Sequence, residues 1–343
     1  MPPNAFDLRS IYWMGTGAAI TGLSLCLTLV GFVVFHAVKA SRRRRLERAA
    51  RAAPTLALLD SPQARPSEPP ASNPLRAFDL ARALDAGVRA LPGAALRGAT
   101  RHPIVLVHGY FGFEALGVSR MKREYFRGVR AALEALGYEV HVARVAPAAA
   151  VALRAAQLAR QIQSIAAVRV NVIAHSMGGL DARYAIARLG LADRVASLIT
   201  VGTPHHGTPV ADRSARFFGE WRRLRRALHA LGANVDGLYD LTTARMEAFN
   251  HDVPDVPGVT YASVVGSVAA HRTDVHAFLA PGHAYLARLS GPNDGLVPAA
   301  SQRWGRVLGV VDADHWAQIG WSQGFDAGKF YAAIAAHLVE LGH

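Results

Sequence analysis

The sequence predicts an α/β fold in which helices cover both faces of a mostly parallel sheet, and three observations lead to this fold class. From Arg101 onward, short β-branched apolar runs alternate with helical segments, a pattern typical of such sheets. The 343 residues are 51% hydrophobic and 18% charged, which excludes a mainly disordered protein. The single cysteine, Cys26, excludes an intramolecular disulfide scaffold, and no Cys/His cluster offers a structural zinc site.

The elements of this sheet follow from the alternation. The predicted strands are Ile104–Val107, Glu139–Val145, Val168–Ile173, Val195–Val201, Val259–Val265 and Arg306–Val311. The predicted helices are Met121–Leu136, Ala152–Ala166, Met177–Leu189 and Asp326–Leu341. We assign the whole alternating region, residues 95–343, to one domain.

A long apolar segment precedes that domain. Ser10–Phe35 has 26 residues without a charge, and a helix of this length reaches about 39 Å, enough to cross a hydrocarbon core of about 30 Å with some tilt. A cleavable signal peptide is the alternative, but its apolar region is usually about 7–15 residues and its positive charges come first. We expect residues 1–40 to be an uncleaved transmembrane anchor.

The formal charge of +13 is concentrated beside this anchor, with seven positive residues within His36–Ala53. The positive-inside rule places these residues and the following domain in the cytoplasm, with export as the alternative. Attraction to anionic lipids accounts for the run, so we expect a membrane lipid surface as a partner and no nucleic acid. Residues 41–94 are predicted to be a tether, first basic, then proline-rich from Arg51 to Asn73, with a short amphipathic helix in Pro74–Leu91.

Ser176 lies between a predicted strand and a predicted helix, with Ala174 two positions before it and Gly178 two positions after it. A serine hydroxyl is a weak nucleophile unless it is exposed on a sharp turn beside a base, and such a turn requires small residues at these two positions. The positive end of the following helix also points at the site. A serine that merely caps a glycine-rich helix is the alternative.

About 70 residues upstream, the strand in Pro103–Phe113 runs into a His-Gly loop. In hydrolases with this kind of serine turn, that loop donates one backbone N–H to the oxyanion, and the residue after the nucleophile donates another. We therefore predict the amides of Tyr110 and Met177 as the oxyanion hole.

These segments resemble a known family. PIVLVHGYFGF, YFRGVRAALEALGYEVHVARV, VNVIAHSMGGLDARY, VGTPHHGTPVAD, NDGLV and DHWAQIG follow one another as they do in bacterial triacylglycerol lipases of the α/β-hydrolase fold, over Pro103 to His343. Ala174 replaces the first glycine of the family's GxSxG pattern. The resemblance implies an acyl-enzyme mechanism on acyl esters, and it places the anchor in a bacterial inner membrane.

The resemblance also implies the order Ser, Asp, His for the catalytic residues. Among fifteen histidines, we predict His315 as the base because it follows the last predicted strand and precedes the last predicted helix. Asp294 matches the family's NDG element and is the predicted acid. Asp312 and Asp314 are the rivals, but they are expected to lie in the loop of His315 itself.

The connection over about residues 208–256 is longer than the fold needs, which is typical of a functional insertion. Its predicted helix has an apolar face formed by Phe217, Phe218, Trp221, Leu224, Leu228 and Leu231. The opposite face is basic and contains Arg222, Arg223, Arg226 and His229. Such a helix can be a lid that covers an apolar cleft or rests on an anionic bilayer; a cap packed permanently on the domain is the alternative.

The resemblance implies a calcium site between two aspartates near the catalytic histidine. Asp274 stands where the first might be, but Ala317 occupies the position of the second, so an oxygen-rich site is hard to assemble. We expect no calcium, no other metal or cofactor, and no dedicated protein partner.

These features together predict a membrane-anchored serine carboxylester hydrolase, most simply a triacylglycerol lipase or esterase. A phospholipase, thioesterase or acyltransferase could use the same three residues, because fold and catalytic residues do not fix the leaving group. A catalytically silent, membrane-tethered binding module is the alternative from another class.

Overall fold

The central feature of the fold is a six-stranded parallel sheet with the strand order β2-β1-β3-β4-β5-β6. A computed structural model describes residues 100–110, 124–220, 236–269, 275–322 and 324–343, except the side chains of 217–220. The strands are β1 (Ile104–Val107), β2 (Val140–Val142), β3 (Val170–His175), β4 (Val195–Val201), β5 (Thr260–Gly266) and β6 (Arg306–Val311). Since all six run in the same direction, their carboxyl ends line one edge of the sheet, where open α/β sheets bind ligands.

Helices follow the strands along the chain. They are α1 (Val129–Ala135), α2 (Val151–Ser164), α3 (Gly178–Arg188), α4 (Pro209–Glu220), α5 (Gly237–Asp240), α6 (Thr243–Asp252), α7 (Ala280–Leu289) and α8 (Ala327–Glu340), with a 3₁₀ turn at Ala317–Ile319. The parallel α/β architecture predicted from the sequence is therefore confirmed.

Two apolar layers hold the helices on the sheet. On β1, Ile104 and Leu106 belong to a buried cluster with α1 and α8, whereas Val105 and Val107 belong to a buried cluster with α2 and α3. Successive residues of a strand point to opposite faces, so a continuous apolar run supplies both layers. Burying one such side chain fully contributes about 1.5–3 kcal/mol.

The predicted bounds of β1, β4 and β6 agree with the structure, and other elements differ at their ends. The strand predicted at Glu139–Val145 is shorter because β2 is an edge strand that pairs only with the four-residue β1. The helix predicted at Met121–Leu136 begins, within the described residues, only at Val129. Gly128 before it has a φ of 73°, which no helical residue adopts.

Hydrogen bonds join the described helices of the 208–256 insertion to one another and to α2. Asp212 on α4 accepts hydrogen bonds from the backbone N–H of Thr243 at 2.9 Å and from its Oγ1 at 3.0 Å. Asp240 on α5 accepts one from the N–H of Val151, the first residue of α2, at 2.8 Å. Helix α4 is thus tied to α6 by two exposed hydrogen bonds, and α5 is tied to α2 by a partly buried one.

Several predicted features lie outside the described residues. They are the apolar span Ser10–Phe35, the tether with its amphipathic helix, most of the predicted lid helix from Trp221 to Leu231, and Asp274. In the described ranges, no helix has both the length and the apolar character needed to cross a bilayer.

Candidate active site

The sharp turn after β3 holds Ser176 in a strained conformation. Its φ is 55°, and no other non-glycine residue in the described ranges has a positive φ. Such strain costs about 1–3 kcal/mol and persists only where neighbouring residues enforce it. Here the N–H of Ser176 donates to the carbonyl of Val201 at 2.8 Å, and Thr203 Oγ1 donates to the carbonyl of Ser176 at 2.7 Å. The serine is therefore fixed at the carboxyl edge of the sheet, between β3 and α3.

The small residues predicted around the serine are required by close backbone contacts. A Cβ on Gly178 would lie 2.6 Å from the carbonyl oxygen of Val107, which is too close for any side chain. Ala174 is completely buried in the layer between β3 and the helices α2 and α3. The turn therefore accepts Ala174 at the first small position but needs glycine at the second.

A continuous hydrogen-bond chain joins Ser176, His315 and Asp294. His315 Nε2 lies 3.0 Å from Ser176 Oγ, and His315 Nδ1 lies 2.7 Å from Asp294 Oδ2. His315 lies four residues after β6, and Asp294 lies in the loop before β6. The backbone N–H of His315 donates to the carbonyl oxygen of Asp294 at 2.8 Å, which also joins these two loops. All three side chains are at least 94% buried.

The carboxylate of Asp294 is held on both oxygens. Oδ1 accepts from the backbone N–H of Leu296 at 3.0 Å and of Val297 at 2.8 Å, while Oδ2 accepts from His315 and from Gln318 Nε2 at 3.2 Å. A carboxylate facing Nδ1 assigns the imidazole proton to that nitrogen and leaves Nε2 able to accept the serine proton. This arrangement has the geometry that nucleophilic catalysis by serine needs.

The rival Asp314 bonds to its own loop and to His276. Its Oδ1 accepts from the N–H groups of Trp316 at 2.9 Å and Ala317 at 2.7 Å, and its Oδ2 accepts from the N–H of His276 at 2.8 Å. The carboxylate of Asp314 thus supports the backbone that carries His315.

The predicted oxyanion residues lie near one another and near the serine. Gly109, in the loop after β1, contacts Ser176 so closely that a Cβ on it would lie 3.0 Å from Oγ. The side chains of Tyr110 and Met177 meet at Gly237, where a Cβ would lie 3.0 Å from Tyr110 Cε2 and 2.9 Å from Met177 Cε. The structure thus brings together the two residues whose amides were predicted to face the oxyanion.

A buried ion pair that the sequence analysis missed supports this loop. Arg154 and Asp181 are both 0% exposed, and Arg154 Nη2 lies 2.7 Å from Asp181 Oδ2. The same Nη2 donates to the carbonyl of His108 at 2.7 Å, so the guanidinium connects α2, the loop after β1 and the first turn of α3. A signal was available, since Arg154 lies three residues after Val151 and four before Leu158, on the apolar face of its helix.

Replacing Arg154 by methionine is expected to destabilise the fold by about 3–5 kcal/mol, because it leaves Asp181 buried without its partner. Burial already raises the pKa of Asp181 to about 6 with the arginine present. Denaturant unfolding of the wild type and of Arg154→Met measures the difference in the free energy of unfolding. The double variant Arg154→Met with Asp181→Asn should recover part of the loss, whereas a single variant as stable as the wild type would contradict this account.

Three fully or almost fully buried histidines lie at or shortly after the carboxyl ends of β1, β3 and β4. Burial, reinforced by the positive charge of Arg154, lowers the pKa of His108 to about 3. Burial lowers the pKa of His175 and of His205 well below the ordinary value, and the neighbouring His315 and Arg183 respectively act in the same direction. All three imidazoles are therefore neutral in the folded protein near pH 7.

These histidines predict a loss of stability in mild acid. Because their pKa values are lower in the folded than in the unfolded chain, the unfolded chain binds more protons below about pH 6.5, and stability falls as the pH falls. The three together should lower the free energy of unfolding by about 4 kcal/mol between about pH 7.5 and about pH 5.5. Urea unfolding at both values measures this. His205→Gln should remove about a third of the decline, and an unchanged decline in that variant would count against this origin.

No group of three or more His, Cys, Asp or Glu side chains within the described ranges is placed to hold a metal ion.

Comparisons with known proteins identify the family of this chain. Residues 74–269 match the family DUF7379, described as a domain of unknown function. Triacylglycerol lipase 2 of Saccharomyces cerevisiae is 35% identical over 221 residues, which cover 61% of this chain and 66% of the yeast protein. The triacylglycerol lipase of Pseudomonas fragi is 30% identical over 252 residues, covering 61% of this chain and 84% of the relative. The chain belongs to the DUF7379 family and to the triacylglycerol lipases.

The structural comparison supports the fold of this lipase family. The crystal structure of a metagenomic carboxyl esterase superposes with a TM-score of 0.60 at 24% identity, covering 70% of this chain and 76% of the esterase. With the parallel sheet, this likeness identifies the α/β-hydrolase fold. The family resemblance seen in the sequence motifs is confirmed, and the chain is a carboxylic ester hydrolase of the lipase and esterase type.

Proposed function

We propose that this lipase cleaves acyl esters through Ser176, His315 and Asp294. The observation that carries the proposal is the buried hydrogen-bond chain from Ser176 Oγ through both nitrogens of His315 to Asp294 Oδ2. His315 takes the serine proton while Oγ attacks the ester carbonyl, and Asp294 holds the imidazole tautomer and stabilises the imidazolium. The amides of Tyr110 and Met177 stabilise the oxyanion.

The acyl-enzyme then forms as the carbon–oxygen bond to the alcohol breaks, and His315 returns its proton to the leaving alcohol. Water repeats the sequence: His315 takes its proton, the acyl–serine bond breaks, and the carboxylic acid leaves with Ser176 restored. Neither half of the reaction requires a cofactor.

Apolar side chains next to the serine support an apolar acyl chain as the substrate. Met177 and Leu180 are fully buried in a cluster with Leu241 and Met246, and Tyr110 packs against it. The cluster includes Met177, the residue directly after Ser176. Because the relatives are named triacylglycerol lipases, we infer that triacylglycerols are the preferred esters.

A series of p-nitrophenyl esters with acyl chains of two to sixteen carbons tests this proposal on the full chain. We expect kcat/KM to rise toward long chains and triacylglycerol to be hydrolysed faster than phospholipid. Hydrolysis of phospholipid or a thioester in preference to triacylglycerol would overturn the substrate assignment, and no hydrolysis of any ester, with vesicles added, would favour the silent binding module.

We also propose that residues 1–40 anchor the lipase in a bacterial inner membrane with the catalytic domain in the cytoplasm. The support is the uncharged length of Ser10–Phe35 and the basic run after it. The full chain should float with anionic vesicles, and a chain lacking residues 1–53 should not. In intact spheroplasts, added protease should leave the catalytic domain uncut; its digestion would indicate export.

The segment from Phe217 to Leu231 is proposed to be a movable lid, supported by its apolar and basic faces. If this segment covers Ser176 when no lipid surface is present, the activity depends on such a surface. Hydrolysis of a soluble ester should therefore increase when anionic vesicles are added, and an unchanged rate would indicate a permanently packed cap.

A further inference from the structure

The side chain of Gln318 lies beside the Asp294 carboxylate, in a space bordered by two glycines. The side chain is 0% exposed and lies in the 3₁₀ turn three residues after His315. A Cβ on Gly202 would collide with its Oε1, and a Cβ on Gly266 would collide with its Nε2. Gly202, directly after β4, and Gly266, the last residue of β5, thus leave the space that this amide fills.

The orientation of the amide follows from its partners. Nε2 donates to Asp294 Oδ2 at 3.2 Å and approaches the carbonyl oxygen of Ala313 at 3.5 Å, and both partners are acceptors. Oδ2 is also the oxygen that faces His315 Nδ1 at 2.7 Å. The glutamine and the imidazole thus fix the same carboxylate oxygen from two directions.

The other end of the amide lies near His175. The rings of His175 and His315 are 4.5 Å apart, and His175 Nδ1 is already bonded to Tyr125 Oη at 2.8 Å, which in turn accepts from the N–H of Gly109 at 3.1 Å. Burial and the charge of His315 lower the pKa of His175, and the nearby Gln318 side chain acts in the opposite direction. Gln318 therefore borders both the acid and the histidine that supports the loop after β1.

We propose that Gln318 is a positioning residue that holds the Asp294 carboxylate in the orientation His315 needs. The inference rests on the proposed function, since it assumes that Asp294 and His315 work on Ser176. Gln318 touches neither the ester nor the serine, so it acts through Asp294 and affects kcat rather than KM.

The first variant, Gln318→Met, has nearly the same length and lacks the amide. Because a hydrogen bond to a charged group contributes enough to change a rate by about tenfold or more, we expect kcat to fall by about tenfold at every pH, with KM unchanged.

The second variant, Gln318→Glu, separates positioning from simple packing. The titratable groups beside residue 318 are Asp294, His315 and His175, and a carboxyl so close to Asp294 binds its proton more tightly than usual. While protonated, it can donate to Asp294 in place of the amide; once ionised, it repels the carboxylate. We expect kcat close to the wild-type value near neutral pH and a fall of at least about tenfold on the alkaline side, a limb that the wild type and Gln318→Met lack.

Matching alkaline profiles for Gln318→Glu and the wild type, or a wild-type kcat for Gln318→Met, would overturn the inference. If the glutamate variant does not fold, kcat and KM of Gln318→Met decide alone. Labelling by a fluorophosphonate runs in parallel. If the wild type is labelled at Ser176 and Gln318→Met is labelled as fast as the wild type, only the role of Gln318 is overturned. An unlabelled wild type overturns the proposed function and this inference with it.

Discussion

Replacement of Ser176 by alanine is expected to lower kcat by about 10⁶, the scale of a nucleophile knockout in a comparable triad. The reason is geometric, since Ser176 Oγ is the atom that lies 3.0 Å from His315 Nε2. The wild-type and variant chains are compared on one p-nitrophenyl ester, with unfolding curves to show that both are folded.

Ser197→Ala is the matched control for this experiment. Ser197 is also completely buried on a central strand, and its Oγ donates to Asn171 Oδ1 at 2.8 Å. Its loss should cost about 1–3 kcal/mol of stability, because Asn171 loses a partner, while kcat stays at the wild-type value. Residual activity of more than about a thousandth in Ser176→Ala would mean that another group attacks the ester.

Replacement of Asp294 by asparagine is expected to lower kcat by about 10⁴ in a chain that still folds. An amide N–H facing His315 Nδ1 would force the imidazole proton onto Nε2, which then cannot accept the serine proton. The N–H groups of Leu296 and Val297 both donate to Oδ1 of Asp294. In the variant, the asparagine carbonyl oxygen is expected to take this position, which leaves the amide NH2 facing His315. Steady-state kinetics and urea unfolding together test both halves of this expectation.

Asp314→Asn separates this role from loop support. Asp314 accepts hydrogen bonds from backbone N–H groups of its own loop, and both of its oxygens accept from Ser322 Oγ. Its replacement should therefore lower the free energy of unfolding and change kcat less than Asp294→Asn does. If Asp314→Asn lost as much kcat as Asp294→Asn, or more, the assignment of the acid would be wrong.

Much of the fold and the meeting of Ser176 with His315 could be predicted because their signals are local, whereas Asp294 was predicted through its match to the family's NDG element. Ser176 is marked by its own strand, turn and helix, and His315 by the strand before it and the helix after it. Residues that act across long separations gave no such signal. Tyr125 and His175 are 50 positions apart and Gln318 and Asp294 are 24 apart, and neither spacing corresponds to one face of a single helix or strand.

Helix α7 shows the same limit in the fold. Pro281 and Gly282 are typical of a turn, yet the structure has Pro281 in the first turn of the helix. Proline is tolerated there, because the missing N–H would have no partner within the helix. A proline alone cannot distinguish a helix start from a turn, and the packing that decides between them is not visible in the sequence.

Covalent labelling with a fluorophosphonate tests the central claim most directly, because only an activated serine reacts with it quickly. The folded full chain, on anionic vesicles, is expected to gain one phosphonyl group on the peptide that contains Ser176, and Ser176→Ala is expected to gain none. Absence of labelling in the folded wild type, or labelling that persists in Ser176→Ala, would contradict the assignment of Ser176 as the nucleophile.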